Sequence, residues 1–184
     1  MSVDFDVIIV GSGPAGISAA FPLVESGLNV LMVDGGKQSI VPLLKNDYLS
    51  TRTYDSEQWK WMVGEDFHAL QMRDAISPKL RVPSQAYSFA EFNTQNNINS
   101  TSFISVGSLA TGGLSNSWGC GVAKYSAAEI KQFPFPKSDL ELSYANVSLR
   151  IGISGKANDD MSEYFGLDDY AQPPINMDIS HTYL

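Results

Sequence analysis

The stretch from Val7 to Asp34, VIIVGSGPAGISAAFPLVESGLNVLMVD, restricts the fold of this chain more than any other. Val7 to Val10 is an unbroken apolar run rich in β-branched residues, the pattern of a strand buried on both faces of a parallel sheet. Gly11, Gly13 and Gly16 then form G-x-G-x-x-G where the strand must turn into a helix. Gly11 allows the tight turn, Gly13 lets the backbone approach a pyrophosphate, and Gly16 lets the helix lie close to the strand. The helix N-terminus, opened by Pro14 and Ala15, points unpaired N–H groups and the positive end of its dipole at the phosphates. After Gly27 a second apolar run, Val30 to Val33, is closed by Asp34. An acidic side chain about 20 residues past the glycines can accept hydrogen bonds from an adenosine ribose. The stretch therefore predicts a β-α-β unit with a dinucleotide site on Gly11, Ser12, Gly13, Pro14, Ala15, Gly16 and Asp34. Gly35 and Gly36 let the chain turn beside the adenosine without a clashing Cβ. The fingerprint does not separate FAD from NAD.

Composition narrows the partners. The net charge of −8 argues against a nucleic-acid backbone, which needs a basic face. No apolar run approaches the ~20 residues of a membrane span. The acidic opening MSVDFD runs straight into the first strand, unlike a secretory signal. Cys120 is the only cysteine, so no intrachain disulfide can form; this fits a reducing, cytoplasmic setting. Two glycosylation sequons, at Asn99 and Asn146, are read as chance without a signal peptide. No cluster reads as a metal site.

Residues 14–27 are predicted helical, with Pro22 as an interior proline that should kink or loosen the helix. Residues 37–54 read as a long loop. Asp55-x-x-Gln58 resembles a capping box, and Trp59, Met62, Val63, Phe67 and Leu70 recur at helical spacing, predicting a helix that ends before Pro78. His68, inside it, reads as a surface or core residue. Leu80 to Val82, Tyr87 to Phe92 and Ser102 to Val106 read as strands, with the Asn-rich run 93–99 as a loop between the last two.

Gly107 to Tyr125, GSLATGGLSNSWGCGVAKY, is the second informative stretch. A flexible linker would lack Trp118 and Cys120. The mixture suits a loop whose backbone approaches a flat ligand: Gly112 and Gly113 permit close contact, Ser115, Asn116 and Ser117 offer hydrogen bonds, and Trp118 offers an apolar wall. Ser126-x-x-Glu129 and Ser138-x-x-Glu141 then cap two structural helices, the second with Leu140, Tyr144, Val147 and Ile151 as its buried stripe and Gly152 after its end. The tail from Gly155 is acidic, and His181 near its end is not read as catalytic.

Taken together, these motifs resemble the glucose–methanol–choline (GMC) flavoprotein oxidoreductases. The N-terminal fingerprint closed by Asp34-Gly35-Gly36 is similar to their opening. Gly112 to Cys120 resembles their second glycine-rich signature in its pyranose-oxidase-like variant. Phe135-Pro136, Asp139-Leu140, Tyr144 and Arg150 to Gly155 resemble the helix that follows. The resemblance implies FAD, with its pyrophosphate over Gly11 to Gly16 and its ribose on Asp34. The isoalloxazine would lie near Gly112, Gly113, Ser115, Asn116, Trp118, Gly119 and Cys120. Pyranose oxidases attach the flavin through a histidine in a T-H-W triplet. Here the triplet is Asn116-Ser117-Trp118, which implies non-covalent FAD. The family's catalytic histidine lies near the end of much longer chains and nothing here matches it, so no catalytic residue is assigned.

The expected fold class is α/β: a Rossmann-like β-α-β FAD-binding core, incomplete, with added helices and a small strand region. Residues 1–155 would form a partial FAD-binding domain, with an inserted region at about 37–106, and 156–184 an acidic tail leading toward a missing substrate domain. The implied activity is oxidation of alcohol or sugar CH–OH groups by the whole enzyme. Its partners would be that substrate and a missing domain or partner chain, and the fragment alone would be inactive. A non-catalytic FAD-binding module and an NAD-dependent dehydrogenase fragment stay open as alternatives.

Overall fold

The computed structural model describes residues 4–39, 48–71, 82–158, 162–166 and 172–176. They belong to two compact units, Met1–Gly119 and Cys120–Leu184.

The first unit is built on strand β1 (Val7–Val10), helix α1 (Pro14–Glu25) and strand β2 (Val30–Val33). β1 and β2 pair in parallel, with Val7 opposite Val30 and Val10 opposite Val33. This is the mixed α/β, Rossmann-like core expected from the apolar runs and their glycine turn. Past the strand ends the pairing continues through the Asp6 N–H on the Asn29 carbonyl (2.9 Å) and the Gly11 N–H on the Val33 carbonyl (2.7 Å). α1 runs three residues beyond Pro22, so that proline does not end it early. Its end is set instead by Gly27 at φ 85°, where the Gly27 and Leu28 N–H groups bond to the Val24 and Leu23 carbonyls, a Schellman arrangement.

A strand of a parallel sheet normally has both faces covered. Here Ile9 faces α1, with its Cγ2 3.4 Å from where a Gly16 Cβ would stand. The alternate residues Ile8 and Val10 are 62% and 82% exposed, and Val33, opposite Val10, is exposed too. That face of the pair is thus only partly covered within the described residues, most openly at Ile8 and Val10.

The rest of this unit departs from the sequence reading. In place of one helix after Asp55 there are two short ones, α3 (Trp59–Val63) and α4 (His68–Gln71), after a single turn α2 (Tyr48–Thr51). Gly64 and Phe67 both adopt positive φ (81° and 54°), which breaks the helix and stacks the Phe67 ring on Trp59 at 4.7 Å. The Asp55 carboxylate accepts from the Glu57 N–H (3.0 Å) in a local turn, and Gln58, not Asp55, precedes the helix. Tyr87 to Phe92 is not a strand. Pro83–Ser88 is a 3₁₀ turn, and α5 (Phe92–Gln95) takes the first residues of the expected Asn-rich loop. Ser102 to Val106 pairs with no strand among the described residues. Leu80, Arg81, Pro78 and His181 lie outside the described residues.

In the second unit, α6 (Ala127–Ile130) carries the expected capping box. The Ser126 N–H donates to Glu129 Oε2 (2.7 Å) and the Glu129 N–H to Ser126 Oγ (3.3 Å). α7 (Ser138–Ile151) starts one residue earlier than expected, so Ser138 lies inside it and makes no cap. Asp139 and Glu141 fall in its first turn, Arg150 in its last, and Gly152 at φ 71° ends it. Tyr144 and Val147 face inward, while Ala145 and Ser148 are its buried residues. Ile151 of the expected stripe is half exposed. α7, Val122, Ile153 and Phe165 of α8 (Ser162–Phe165) line an apolar cleft of about 190 Å³.

Candidate functional site

The site lies at the C-terminal end of β1, where the chain makes its glycine turn. Gly11 takes φ 99°, a conformation that disfavours any side chain. Gly13 is the residue before α1 and Pro14 its first residue, a position where the missing N–H costs nothing. The first intrahelical bond runs from the Ile17 N–H to the Gly13 carbonyl (3.0 Å), so the Ala15 and Gly16 N–H groups precede it. No side chain caps this end and no acidic residue stands in its first turn. A Cβ on Gly16 would overlap the Gly11 carbonyl oxygen, so glycine there is what lets helix and turn close on each other.

The second glycine stretch packs directly onto this turn, 100 residues away in sequence. The strip Leu109–Gly113 runs beside the end of β2. The Lys37 N–H donates to the Leu109 carbonyl and the Thr111 N–H to the Lys37 carbonyl, both at 3.0 Å, forming a parallel bridge between Lys37 and Ala110. Gly35 packs so tightly on Leu109 that a Cβ there would meet the Leu109 backbone. At the tip, the Gly112 N–H donates to Ser12 Oγ (2.9 Å), and a Gly113 Cβ would stand 3.4 Å from Gly13 Cα. The two turns are in contact.

Asp34 closes the arrangement. Its Oδ2 accepts from the Ser12 hydroxyl and its Oδ1 from the Gly36 N–H (2.7 Å). A cleft of about 250 Å³ is bounded by Gly11, Ser12, Gly13, Asp34, Gly35 and Gly113, with Val10, Val33, Leu109 and Ala110 as apolar walls. That is below the ~300–1,000 Å³ of a whole small-molecule pocket. It has room for part of a dinucleotide, with apolar walls and one carboxylate.

The remaining residues singled out in the sequence stand elsewhere. Pro14 and Ala15 are exposed on the first turn of α1. Ser115 and Asn116 stabilise their own 3₁₀ turn, Gly113–Asn116. Ser115 Oγ donates to the Gly112 carbonyl (2.6 Å), and Asn116 Nδ2 to the carbonyls of Thr111 (2.9 Å) and Gly113 (2.8 Å). Trp118 and Gly119 are exposed at the end of the first unit, and Cys120, exposed at φ 58°, begins the second. No group of three metal-ligating side chains is gathered among the described residues.

Lys37 was missed in the sequence. Besides the bridge to Ala110, its Nζ donates to the Ala90 carbonyl (2.9 Å) and to Glu91 Oε2 (3.0 Å). The ammonium holds the Glu91 carboxyl below its usual range, chiefly through that hydrogen bond. One lysine thus ties together the end of β2, the second glycine strip and the turn at Glu91, itself at φ 64°. Its position three residues past Asp34 carries no periodic signal that would have marked it.

This geometry is that of a Rossmann-like β-α-β unit. Residues 5–77 match the family described as pyridine nucleotide-disulphide oxidoreductase. The match takes in β1, the glycine turn, α1, β2 and Asp34, and stops before the second glycine stretch. It supports a flavin- or nicotinamide-nucleotide-binding oxidoreductase domain over less than half of the chain. No curated protein matches the sequence. Among the described residues no helix is long and apolar enough to cross a membrane.

Proposed function

We propose that this chain is the FAD-binding portion of a GMC-type oxidoreductase acting on the CH–OH groups of alcohols or sugars. The observation that supports the reading is the contact of Gly112 and Gly113 with Ser12 and Gly13, which brings together the two stretches that resemble motifs of that family. The groups present fit the adenosine-diphosphate half of the cofactor. The Gly13, Ala15 and Gly16 N–H groups at the uncapped end of α1 would hold the diphosphate, Asp34 the ribose, and Val10, Val33 and Leu109 would border the adenine. Gly112 and Gly113 then belong to the diphosphate side, and within the first unit the ring end falls to Ser115, Asn116, Trp118 and Gly119. FAD, non-covalently bound, supplies a hydride acceptor. This chain binds and orients it. A proton acceptor for the substrate hydroxyl would come from a further domain or a partner chain, whose arrival would also cover the exposed Ile8.

A second reading has its own support, since the matched family is named for pyridine nucleotides. Purified protein decides between them. Absorption bands at about 370 and 450 nm would identify a retained flavin, whereas their absence with thermal stabilisation by NAD would favour the nicotinamide reading. Gly13→Val then tests the placement. A first Cβ at Gly13 meets nothing closer than the Gly112 carbonyl oxygen at 3.8 Å, so the ligand-free turn accommodates it. The side chain should nevertheless exclude the diphosphate and abolish flavin retention, and unchanged flavin content would remove the cofactor from this turn.

A further inference from the structure

Ser12 is the variable residue between the first two glycines of the motif, and the motif itself assigns it no task. Its hydroxyl joins three segments. It donates to Asp34 Oδ2, 22 residues on, and accepts from the Gly112 N–H, 100 residues on. A serine hydroxyl has one proton to give and two lone pairs to receive with, so the proton is spent on the carboxylate and one lone pair on Gly112. A bond to an ionised acceptor is among the stronger ones, and it polarises the oxygen into a better acceptor for the Gly112 amide. The other Asp34 oxygen is fixed by Gly36, so the carboxylate is gripped at both ends. Gly112 sits at φ 86°, and Ser115 and Asn116 brace the turn that follows it.

We infer that Ser12 is a positioning residue whose single hydroxyl orients the Asp34 carboxylate and anchors the second glycine turn. The two walls of the nucleotide cleft are thereby set before ligand arrives. The part that concerns affinity rests on the dinucleotide reading above; the anchoring does not.

The test separates them by two measurements on Ser12→Ala and Ser12→Thr. The first is residue-resolved amide exchange in the ligand-free protein. In Ser12→Ala the Gly112 amide should exchange about tenfold faster or more, the loss of one good hydrogen bond. The Gly11 amide, bonded to the Val33 carbonyl in the same unit, should keep its protection, and Ser12→Thr should restore Gly112. Unchanged Gly112 exchange in Ser12→Ala overturns the inference. If Gly11 also loses protection, Ser12→Cys, of similar shape but a weak donor, replaces alanine under the same criterion. The second measurement is FAD affinity by fluorescence titration, expected to fall about tenfold in Ser12→Ala and to return in Ser12→Thr. If the parent chain binds neither FAD nor NAD, the dinucleotide reading fails while the Gly112 amide still decides whether Ser12 anchors the turn.

Discussion

Helices α1 and α7 are of similar length, 12 and 14 residues, one in each compact unit, and their N-termini are treated in opposite ways. α7 carries Asp139 and Glu141 in its first turn and Arg150 in its last, so its own side chains complement its dipole. α1 has no acidic residue in its first turn, no basic residue in its last and no side-chain cap. It starts from a glycine turn with an aspartate held to one side of the cleft by Ser12 and Gly36. The difference separates a helix whose own side chains complement its dipole from one whose positive end has no counter-charge in its first turn. The proposed diphosphate site rests on that bare end together with the backbone cleared by Gly11, Gly13 and Gly16.

The contrast can be broken most severely at Gly16. Gly16→Ala puts a Cβ into the Gly11 carbonyl, and the backbone of the turn must shift. Amide protection through Val30 to Val33 and any retained nucleotide should be lost, while α7 amides exchange as before. Loss of protection in both units together would show that they do not fold separately. A milder variant copies the device of α7 onto α1. Ala15→Asp puts a carboxylate in the first turn of α1, where it should stabilise the ligand-free helix by about 0.3–1 kcal/mol. The same charge should lower dinucleotide affinity by about tenfold or more through repulsion of the diphosphate. Melting and titration of the one variant should therefore move in opposite directions, and equal affinity would place the anion elsewhere. The smallest effect concerns acid. Glu91 is held below the usual carboxylate range by Lys37 and Glu129 by the Ser126 backbone and hydroxyl. A lowered carboxyl stabilises the fold above its unfolded value and loses that contribution as pH falls through its folded one, so both ties should weaken only on the acid side. Added salt should raise the Glu91 midpoint, an ion pair, more than that of Glu129, and carboxyl titration by NMR would read both.

What the sequence made legible follows the same division between local and distant causes. β1, α1, β2 and the Ser126 capping box are determined by neighbours a few residues apart, and their spacing announces them. The broken helix after Asp55 is not. Gly64 is an interior glycine on a good apolar period, and the turn there shows only in the positive φ of Gly64 and Phe67 and in the Trp59–Phe67 stack. Tyr87 to Phe92 has the composition of a strand, but Pro83 opens a 3₁₀ turn and Lys37, more than 50 residues away, grips Ala90 and Glu91. The spacing of Gly11, Gly13 and Gly16 and the acidic Asp34 could be read in advance, and these residues do come together at the end of β1. That Gly112 and Gly113 touch Gly13 and Ser12, and that Lys37 buttresses them, depends on tertiary contacts no window of sequence contains.

The Ser12–Gly112 bond also has a bearing on the order of assembly. β1, α1 and β2 can form once about the first third of the first unit has left the ribosome, since the Ser12–Asp34 link closes a loop of only 22 residues. The wall provided by Gly112 closes one of 100, which by the (3/2)RT ln n scaling costs about 1.3 kcal/mol more in chain entropy. During synthesis several seconds separate the translation of Asp34 from that of Gly112, so the short Ser12–Asp34 closure becomes available well before its opposite wall exists.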